Sequence, residues 1–469
     1  MTGPLGRVLV CGLGVSGAAA ARVLLARGDT VLLADAGNPA ARTELEAAGA
    51  VWLGAVTDCP DDVDLVVTSP GWRPDSPLLV SAARAGVEVV GEPELAWRLR
   101  LPLADGEPAP WYAVTGTNGK TTTVTMLEAL LLAGGRRAVA AGNVGRPLVE
   151  VVTAVDVDGA PAFDAVAVEL SSFQLHWSSS VTPAAAAVLN IADDHVDWHG
   201  SAAAYRDAKA KILHGAPVAV ADAADPVASA LVAGHPHPVT VTLGEPGPGQ
   251  LGVVDGVLVD RALGGGELLP VDALQVTGPH NVINALAAAA LARAAGVSAG
   301  DIATGLAGFR GGAHRTVQVA VRDGVAWVDD SKATNPHAAA ASLTAYPRVV
   351  WIAGGLLKGA DVEPLVAAVA SRLAGVVLLG RDRQVLADSL ARHAPAVPRI
   401  VVPSGDDVGV AGVTNGTAEA VMVQVVRAAA ELARPGDTVL LAPAAASMDV
   451  FTDYAHRGRA FADAVRALP

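Results

Sequence analysis

The stretch Thr115-Gly116-Thr117-Asn118-Gly119-Lys120-Thr121-Thr122 brings together the residue types that handle phosphate. Glycines let consecutive backbone N–H groups turn inward as an anion nest, and a helix start adds partial positive charge. A lysine there reaches β- and γ-phosphates, and the hydroxyl after it can ligate Mg2+. The general form G-x-x-x-x-G-K-[ST] is incomplete, because Val114 stands where the first glycine belongs. Glu169 closes the apolar run 165–168. A carboxylate delivered by a strand beside a phosphate loop is a natural partner for Mg2+, which prefers hard oxygen ligands. His195 follows a second such run, 186–191; a lone histidine is by itself more often structural than a ligand. Lys209 and Lys211 stand two residues apart after Tyr205, so on a helix they face different sides, and each alone reads as a solvated lysine.

The N-terminal segment carries another glycine pattern. Gly12-x-Gly14-x-x-Gly17 follows the apolar run 8–11 and opens a helix, and Asp35 closes the next run. Alone, this predicts a dinucleotide fold binding NAD. A single G-x-G-x-x-G is weak evidence, and here it shares the chain with a second nucleotide loop. Ser69-Pro70-Gly71 ends another strand, on the side of such a sheet where ligands bind.

These residues must be positioned by an alternation of strand and helix that runs through the chain three times. Apolar runs 8–11, 31–34, 65–68 and 87–90 are separated by Ala-rich helical stretches, and a proline-bearing linker, 102–110, follows. A second series begins at 111, the pattern breaks again at 309–312, and a third holds 325–328, 349–353, 376–379 and 438–441. The predicted fold class is α/β in three domains with mainly parallel sheets: Rossmann-like 1–107, a central P-loop ATPase domain 108–312, and Rossmann-like 313–469. A length of 469 residues exceeds a single core. A net charge of −14 with no basic run argues against nucleic acid as a partner. Two cysteines, Cys11 and Cys59, make neither a disulfide framework nor a metal spacing and suit a cytoplasmic location. No apolar stretch is long enough to span a bilayer and no leader is expected, so no membrane partner is expected. Separately, a monomer is expected. An acidic protein that takes anionic substrates must gather its few cations locally, which makes its cations the residues of interest.

Taken in order, the motifs resemble the Mur ligase family, the ATP-dependent amino-acid ligases of cell-wall precursor synthesis and their folate-polyglutamating relatives. The resemblance rests on TGTNGKTT at 115–122, ELSSFQL at 169–175, D-H at 194–195, Y-x-x-A-K at 205–209, GPHNVINA at 278–285 and H-R at 314–315. D-S-K-A-T-N at 330–335, G-G-x-x-K at 354–358 and P-A-x-A-S-x-D-x-F at 443–451 are similar to the branch that adds D-glutamate. His456 departs from the pattern, standing where an acidic residue is expected, and Leu356 and Leu357 stand where polar residues are common.

The resemblance implies ATP bound by Thr115, Gly116, Thr117, Asn118, Gly119, Lys120, Thr121 and Thr122, with Asn284 near adenine and Arg315, Asp330 and Lys332 completing the site. It implies two Mg2+ ions on Thr121, Glu169, His195 and Lys209, the lysine being carbamylated by CO2. In place of a nicotinamide, the first domain would hold a UDP-sugar at Gly14, Val15, Ser16, Asp35, Ser69, Pro70 and Gly71, with Asn143. Thr334, Lys358, Ser447 and Tyr454 would bind D-glutamate, and Lys120, Glu169, His195, Lys209 and Arg315 would be catalytic. The expected reaction joins D-glutamate to UDP-N-acetylmuramoyl-L-alanine through an acyl phosphate, at the cost of ATP.

Overall fold

The computed structural model describes residues 3–192, 194–276, 278–403 and 418–468. By its internal contacts the chain forms two compact units, Met1–Leu274 with Ile283–Phe309, and Gln275–Val282 with Arg310–Pro469.

The first unit contains two sheets. One has strands β1 (Arg7–Cys11), β2 (Thr30–Ala34), β3 (Val51–Gly54), β4 (Leu65–Thr68) and β5 (Glu88–Gly91). They are all parallel, in the order β3-β2-β1-β4-β5. Val8, Leu9, Val10 and Cys11 of β1 are fully buried, as a central parallel strand covered on both faces requires. Strand order reverses at β1, so a crevice opens beyond the carboxyl ends of β1 and β4. The Gly12–Gly17 turn and Ser69-Pro70-Gly71 lie at those two ends.

The other sheet runs β6 (Trp111–Thr115), β7 (Ala138–Gly142), β8 (Ala165–Glu169), β9 (Ala185–Val188), β10 (Ala219–Asp222), β11 (Pro238–Val241), β12 (Gln250–Val254), β13 (Val257–Asp260) and β14 (Gly266–Pro270). Its order is β14-β13-β12-β11-β10-β9-β6-β8-β7, with β12, β13 and β14 an antiparallel meander at one edge. Here β6 lies between β8 and β9, so the phosphate loop after β6, Glu169 at the end of β8 and the segment after β9 share one rim.

The two sheets belong to one unit because the helix Glu92–Leu99 ties them together. Gly91 N donates to Trp177 O (3.0 Å), Glu92 accepts from Val149 N (2.6 Å), and Glu94 accepts from Ser179 N and Ser180 N (2.9 and 3.0 Å).

The second unit has strands β15 (Val317–Arg322), β16 (Val325–Asp329), β17 (Val349–Gly354), β18 (Leu373–Leu379), β19 (Arg399–Val401) and β20 (Thr438–Leu441), in the order β15-β16-β20-β17-β18-β19. All pairs but β15–β16 are parallel. The alternation and the sheet class therefore follow the sequence expectation. Strands β7 (AVAAG) and β10 (AVAD) escape it because alanine and glycine give them no β-branched signature, and only burial between helices makes them strands. Among the described residues no helix is long and apolar enough to cross a membrane.

Candidate functional site

The phosphate loop is built by local necessity. Gly116 (φ 154°) and Gly119 (φ 83°) adopt backbone conformations that side-chain-bearing residues rarely take, and a Cβ at Gly119 would meet Asn284 Oδ1 at 2.5 Å. Asn190, just past β9, clamps the loop from outside: its Oδ1 accepts from Asn118 N (2.8 Å), and its carbonyl accepts from Thr117 N (2.9 Å). Thr115 Oγ1 donates to Leu170 O (2.7 Å), fastening the loop to the end of β8. The sequence offered no signal for Asn190, which falls inside the apolar run 186–191. Asn284, expected near adenine, accepts from Thr123 Oγ1 (3.2 Å) and so sits directly against the loop and its helix Lys120–Ala133. Thr121 and Thr122 begin that helix, so their backbone N–H groups belong to its open end.

Two lysines converge on one carbonyl. Lys120 Nζ donates to Gly116 O (2.8 Å) and Thr117 O (2.9 Å), and Lys209 Nζ donates to the same Gly116 O (2.7 Å). Lys209 is 2% exposed, on the inner face of the helix Ala202–Ala210, with its Nζ 4.7 Å from the Tyr205 ring centre. Burial first, and then the charge of Lys120, hold its ammonium well below the usual lysine range. Tyr205 is itself fixed by a 3.0 Å hydrogen bond between its hydroxyl and Thr117 Oγ1. Lys211 faces elsewhere, as the helical register requires, donating to His176 O (2.7 Å).

Glu169 is 1% exposed. One carboxylate oxygen accepts from Asn143 Nδ2 (2.8 Å), and the other is buried with no hydrogen-bond partner. Asn143, expected at the UDP-substrate, is thus placed beside this carboxylate, and its N–H donates to Glu169 O (2.9 Å). His195 takes a left-handed backbone (φ 52°) after Asp194, with its ring 4.6 Å from Phe173. Desolvation lowers its pKa and favours the neutral imidazole that can ligate a metal. No group of three His, Cys, Asp or Glu among the described residues comes together to hold a metal. The orphaned Glu169 oxygen fits Mg2+ nonetheless, because that ion takes one or two carboxylates and completes its shell with phosphate oxygens and water.

At the crevice of the first sheet, one Asp35 oxygen holds the loop, accepting from Leu13 N (2.8 Å), and the other accepts from Gly37 N (2.9 Å) in its own turn. Ser69 Oγ donates to Gly12 O (2.6 Å), so it too braces the turn. Gly17 is obligatory, since a Cβ there would meet Gly12 O at 1.8 Å. Gly14, Val15 and Ser16 start the helix Val15–Ala26 without a side-chain cap or first-turn acid, and Val15 is 75% exposed. Pro70 and Gly71 follow at the rim, with nothing within 4 Å of a Cβ on Gly71.

The second unit carries the remaining expected residues. His314 Nδ1 lies 2.6 Å from Asp329 Oδ2, and Gly458 must be glycine because a Cβ there would strike that His314 nitrogen at 2.1 Å. Asp330 is buried against Ser342 and Thr316 N; burial raises its carboxyl to about 6, and the positive charge of Arg315 opposes the rise. Lys332 Nζ lies 3.8 Å from the Tyr454 ring centre, and Thr334 N donates to Lys332 O (2.8 Å). Lys358 (φ 54°) follows the Gly354–Gly355 turn, which packs too closely on Leu379 O and Ala446 O for any Cβ. Ser447 is 4% exposed after Ala444 (φ 60°). His314, Thr316, Lys358 and Ala444 are non-glycine residues in left-handed conformations, a form of strain that costs about 1–3 kcal/mol each and collects at functional sites. His456 Nε2 lies 2.9 Å from Glu419 Oε1.

Family models match the chain in three places: a Mur ligase MurD-like N-terminal domain at residues 6–91, a Mur ligase middle domain at 114–292, and a Mur ligase glutamate ligase domain at 314–445. The UDP-N-acetylmuramoylalanine–D-glutamate ligase of Thermobifida fusca is 54% identical, over 98% of this chain and 98% of its own. That of Mycobacterium bovis is 52% identical, over 99% and 97%. Among solved structures, the UDP-N-acetylmuramate–alanine ligase of Thermotoga maritima superposes with a TM-score of 0.57 at 19% identity, covering 98% of this chain and 99% of its own. MurF of Acinetobacter baumannii superposes with 0.59 at 19% identity, covering 94% and 91%. The structural likeness shows the fold, and the two ligases share the sequence almost end to end.

Proposed function

The chain belongs to the Mur ligase family, and we propose that it adds D-glutamate to UDP-N-acetylmuramoyl-L-alanine with hydrolysis of ATP to ADP and phosphate. The observation that carries this reading is the full-length likeness to D-glutamate ligases. The geometry supports it with a phosphate loop, an orphaned carboxylate and two converging lysines on one rim. The alaninyl carboxylate attacks the γ-phosphorus, the bond to the β-phosphate oxygen breaks, and an acyl phosphate and ADP result. The D-glutamate amine then attacks the acyl carbon, loses a proton, and phosphate departs.

Lys120, at the start of its helix, neutralises charge on the phosphoryl group in transfer, where most of the catalysis of such reactions lies. Mg2+ would supply further charge neutralisation, held by the Thr121 hydroxyl and Glu169 for one ion, and by Glu169, His195 and Lys209 for the second. Burial disfavours the charged form of the Lys209 amine, which would suit carbamylation: addition to CO2 would form a C–N bond, release one proton and leave two oxygens that could serve a metal.

Domain 1–107 would hold the UDP-sugar on Gly14, Val15, Ser16, Ser69, Pro70 and Gly71, with Asp35 at the uracil side and Asn143 beside Glu169. Domain 108–312 would hold ATP, with Asn284 at adenine, and Arg315, Asp330 and Lys332 contributing from 313–469. Lys358 and Ser447 would take the two carboxylates of D-glutamate, flanked by Thr334 and Tyr454. A monomer in the cytoplasm completes the reading. The deciding test is ADP release with UDP-N-acetylmuramoyl-L-alanine and D-glutamate, L-glutamate, L-lysine or meso-diaminopimelate in turn. Turnover with D-glutamate alone is expected, and preference for any of the others overturns the specificity.

A further inference from the structure

Glu92 is a buried carboxyl group that none of the steps above uses. It stands at the joint between the first two sheets, as the first residue past β5 and the start of the helix Glu92–Leu99. β5 pairs with β4 so that Gly91 lies opposite Thr68, the residue before Ser69-Pro70-Gly71 at the crevice. The Glu92 side chain meets the other sheet's elements, accepting from Val149 N (2.6 Å). Val149 is the second residue of the helix Leu148–Val152, which begins at Pro147 with no side-chain cap of its own. The open N–H groups of a helix start need acceptors, and leaving one unmet in a buried place is costly. Leu148 and Val149 are fully buried, so bulk water cannot stand in for Glu92.

The loop before that helix is short and closed. Gly142 N donates to Arg146 O (3.1 Å), Asn143 N to Glu169 O (2.9 Å) and Asn143 Nδ2 to Glu169 Oε1 (2.8 Å). A Cβ at Gly142 would meet Glu169 O at 2.3 Å, and one at Gly145 would meet Ala140 O at 3.0 Å, so the loop has little slack. Shifting the start of the helix therefore shifts Asn143 against Glu169. Gly91 and Glu94 tie the same joint to residues 177–180; of the three, Glu92 is the one that reaches the Asn143 side. A substrate held at one end by the first sheet and reacting at its other end on the second needs the distance between them fixed.

We propose that Glu92 is a positioning residue for the UDP-sugar substrate, acting through Val149 and the loop 142–146 to hold Asn143 at a fixed distance from the crevice of the first sheet. This rests on the reading above that the first domain holds the UDP-sugar. Glutamine at 92 keeps the length and the acceptor, and methionine keeps the length without the acceptor. In the full-length enzyme, Glu92→Met should weaken equilibrium binding of UDP-N-acetylmuramoyl-L-alanine by about tenfold, as loss of a hydrogen bond to a carboxylate implies. Glu92→Gln should bind it within about twofold of the parent, because an acceptor for Val149 N remains. Uridine diphosphate alone should bind the parent and both variants within about twofold, since it fills the crevice without spanning to the second sheet. In an Asn143→Ala background, Glu92→Met should change UDP-sugar affinity by less than about twofold, because the group it acts through is gone. Thermal melting reports whether each variant folds, and Glu92→Ala, which also removes the acceptor, replaces a Glu92→Met that does not. Unchanged UDP-sugar affinity in the folded variant, equal weakening of UDP-sugar and uridine diphosphate, or a full effect persisting in Asn143→Ala overturns the proposal. Failure of the underlying reading shows differently: the unmutated protein itself would bind neither uridine ligand.

Discussion

At the scale of single residues, the site is a set of charges arranged to be unequal. Lys120 and Lys209 meet at Gly116 O, but Lys120 borders the loop while Lys209 is sealed under Tyr205. Lys120→Ala should lower turnover by about two or more orders of magnitude, because it removes a positioned charge used in the transition state. It should leave the fold intact, and near-normal ADP formation by the folded variant would remove the ATP assignment. Lys209→Ala should be similarly inactive and partly restored by acetate, which can return the missing oxygens, whereas Lys211→Ala should be mild. Full activity of Lys209→Ala in bicarbonate-free buffer would end the carbamate reading. The spacing of the two lysines was legible in the sequence, because helical register alone separates their faces. Asn190 was not legible: it acts on backbone groups of a loop distant in sequence, and residue type alone says nothing about which N–H or carbonyl lies nearby.

At the scale of elements, two glycines of one motif do different jobs. Gly17 allows the helix Val15–Ala26 to cross Gly12 O, whereas Gly14 has nothing within 4 Å of its missing Cβ and an ordinary φ of −66°. Gly17→Ala should therefore destabilise the first unit by about 1–3 kcal/mol through overpacking. Gly14→Ala should keep the stability and lower uridine-diphosphate affinity, because there only an approaching ligand needs the bare backbone. Unfolding midpoints and a UDP titration distinguish the two, and equal stability losses would contradict the assignment. The helix Glu92–Leu99 carries a second test. Glu92 is 1% exposed, with one oxygen unpartnered, and burial raises its carboxyl from the ordinary value near 4.5 to about 7. A raised folded pKa means stability that is fully present below about pH 4.5 and is lost as pH rises through about 7. Relative to the parent, Glu92→Gln should thus gain stability between pH 5 and pH 8, by on the order of 3 kcal/mol. A gap between the two proteins that is the same at both pH values would show that Glu92 does not titrate in that window.

At the scale of the chain, the α/β class and the three alternating series were legible because parallel strands buried on both faces leave unbroken apolar runs. Their grouping was less legible. The linker 102–110 reads as a boundary, yet the first two sheets form one compact unit through hydrogen bonds from Gly91, Glu92 and Glu94, which look in sequence like an ordinary helix start. That grouping gives a way to decide what the first sheet binds. A ligand that binds the folded state raises stability by about 2.7 kcal/mol at a hundredfold excess over its Kd. Six of the eight tryptophans, Trp52, Trp72, Trp97, Trp111, Trp177 and Trp198, lie in the first unit, so tryptophan fluorescence follows its unfolding. Trp72 packs on the turn itself, its Nε1 lying 2.6 Å from where a Gly12 Cβ would stand. UDP-N-acetylmuramoyl-L-alanine should therefore raise the fluorescence-detected melting temperature and change the signal before melting, and NAD should do neither. The early change should disappear in Trp72→Phe while the melting shift remains, since binding would persist without its reporter. A melting shift with NAD and none with the uridine ligand would return the first domain to the dinucleotide reading that its glycine motif, taken alone, suggests.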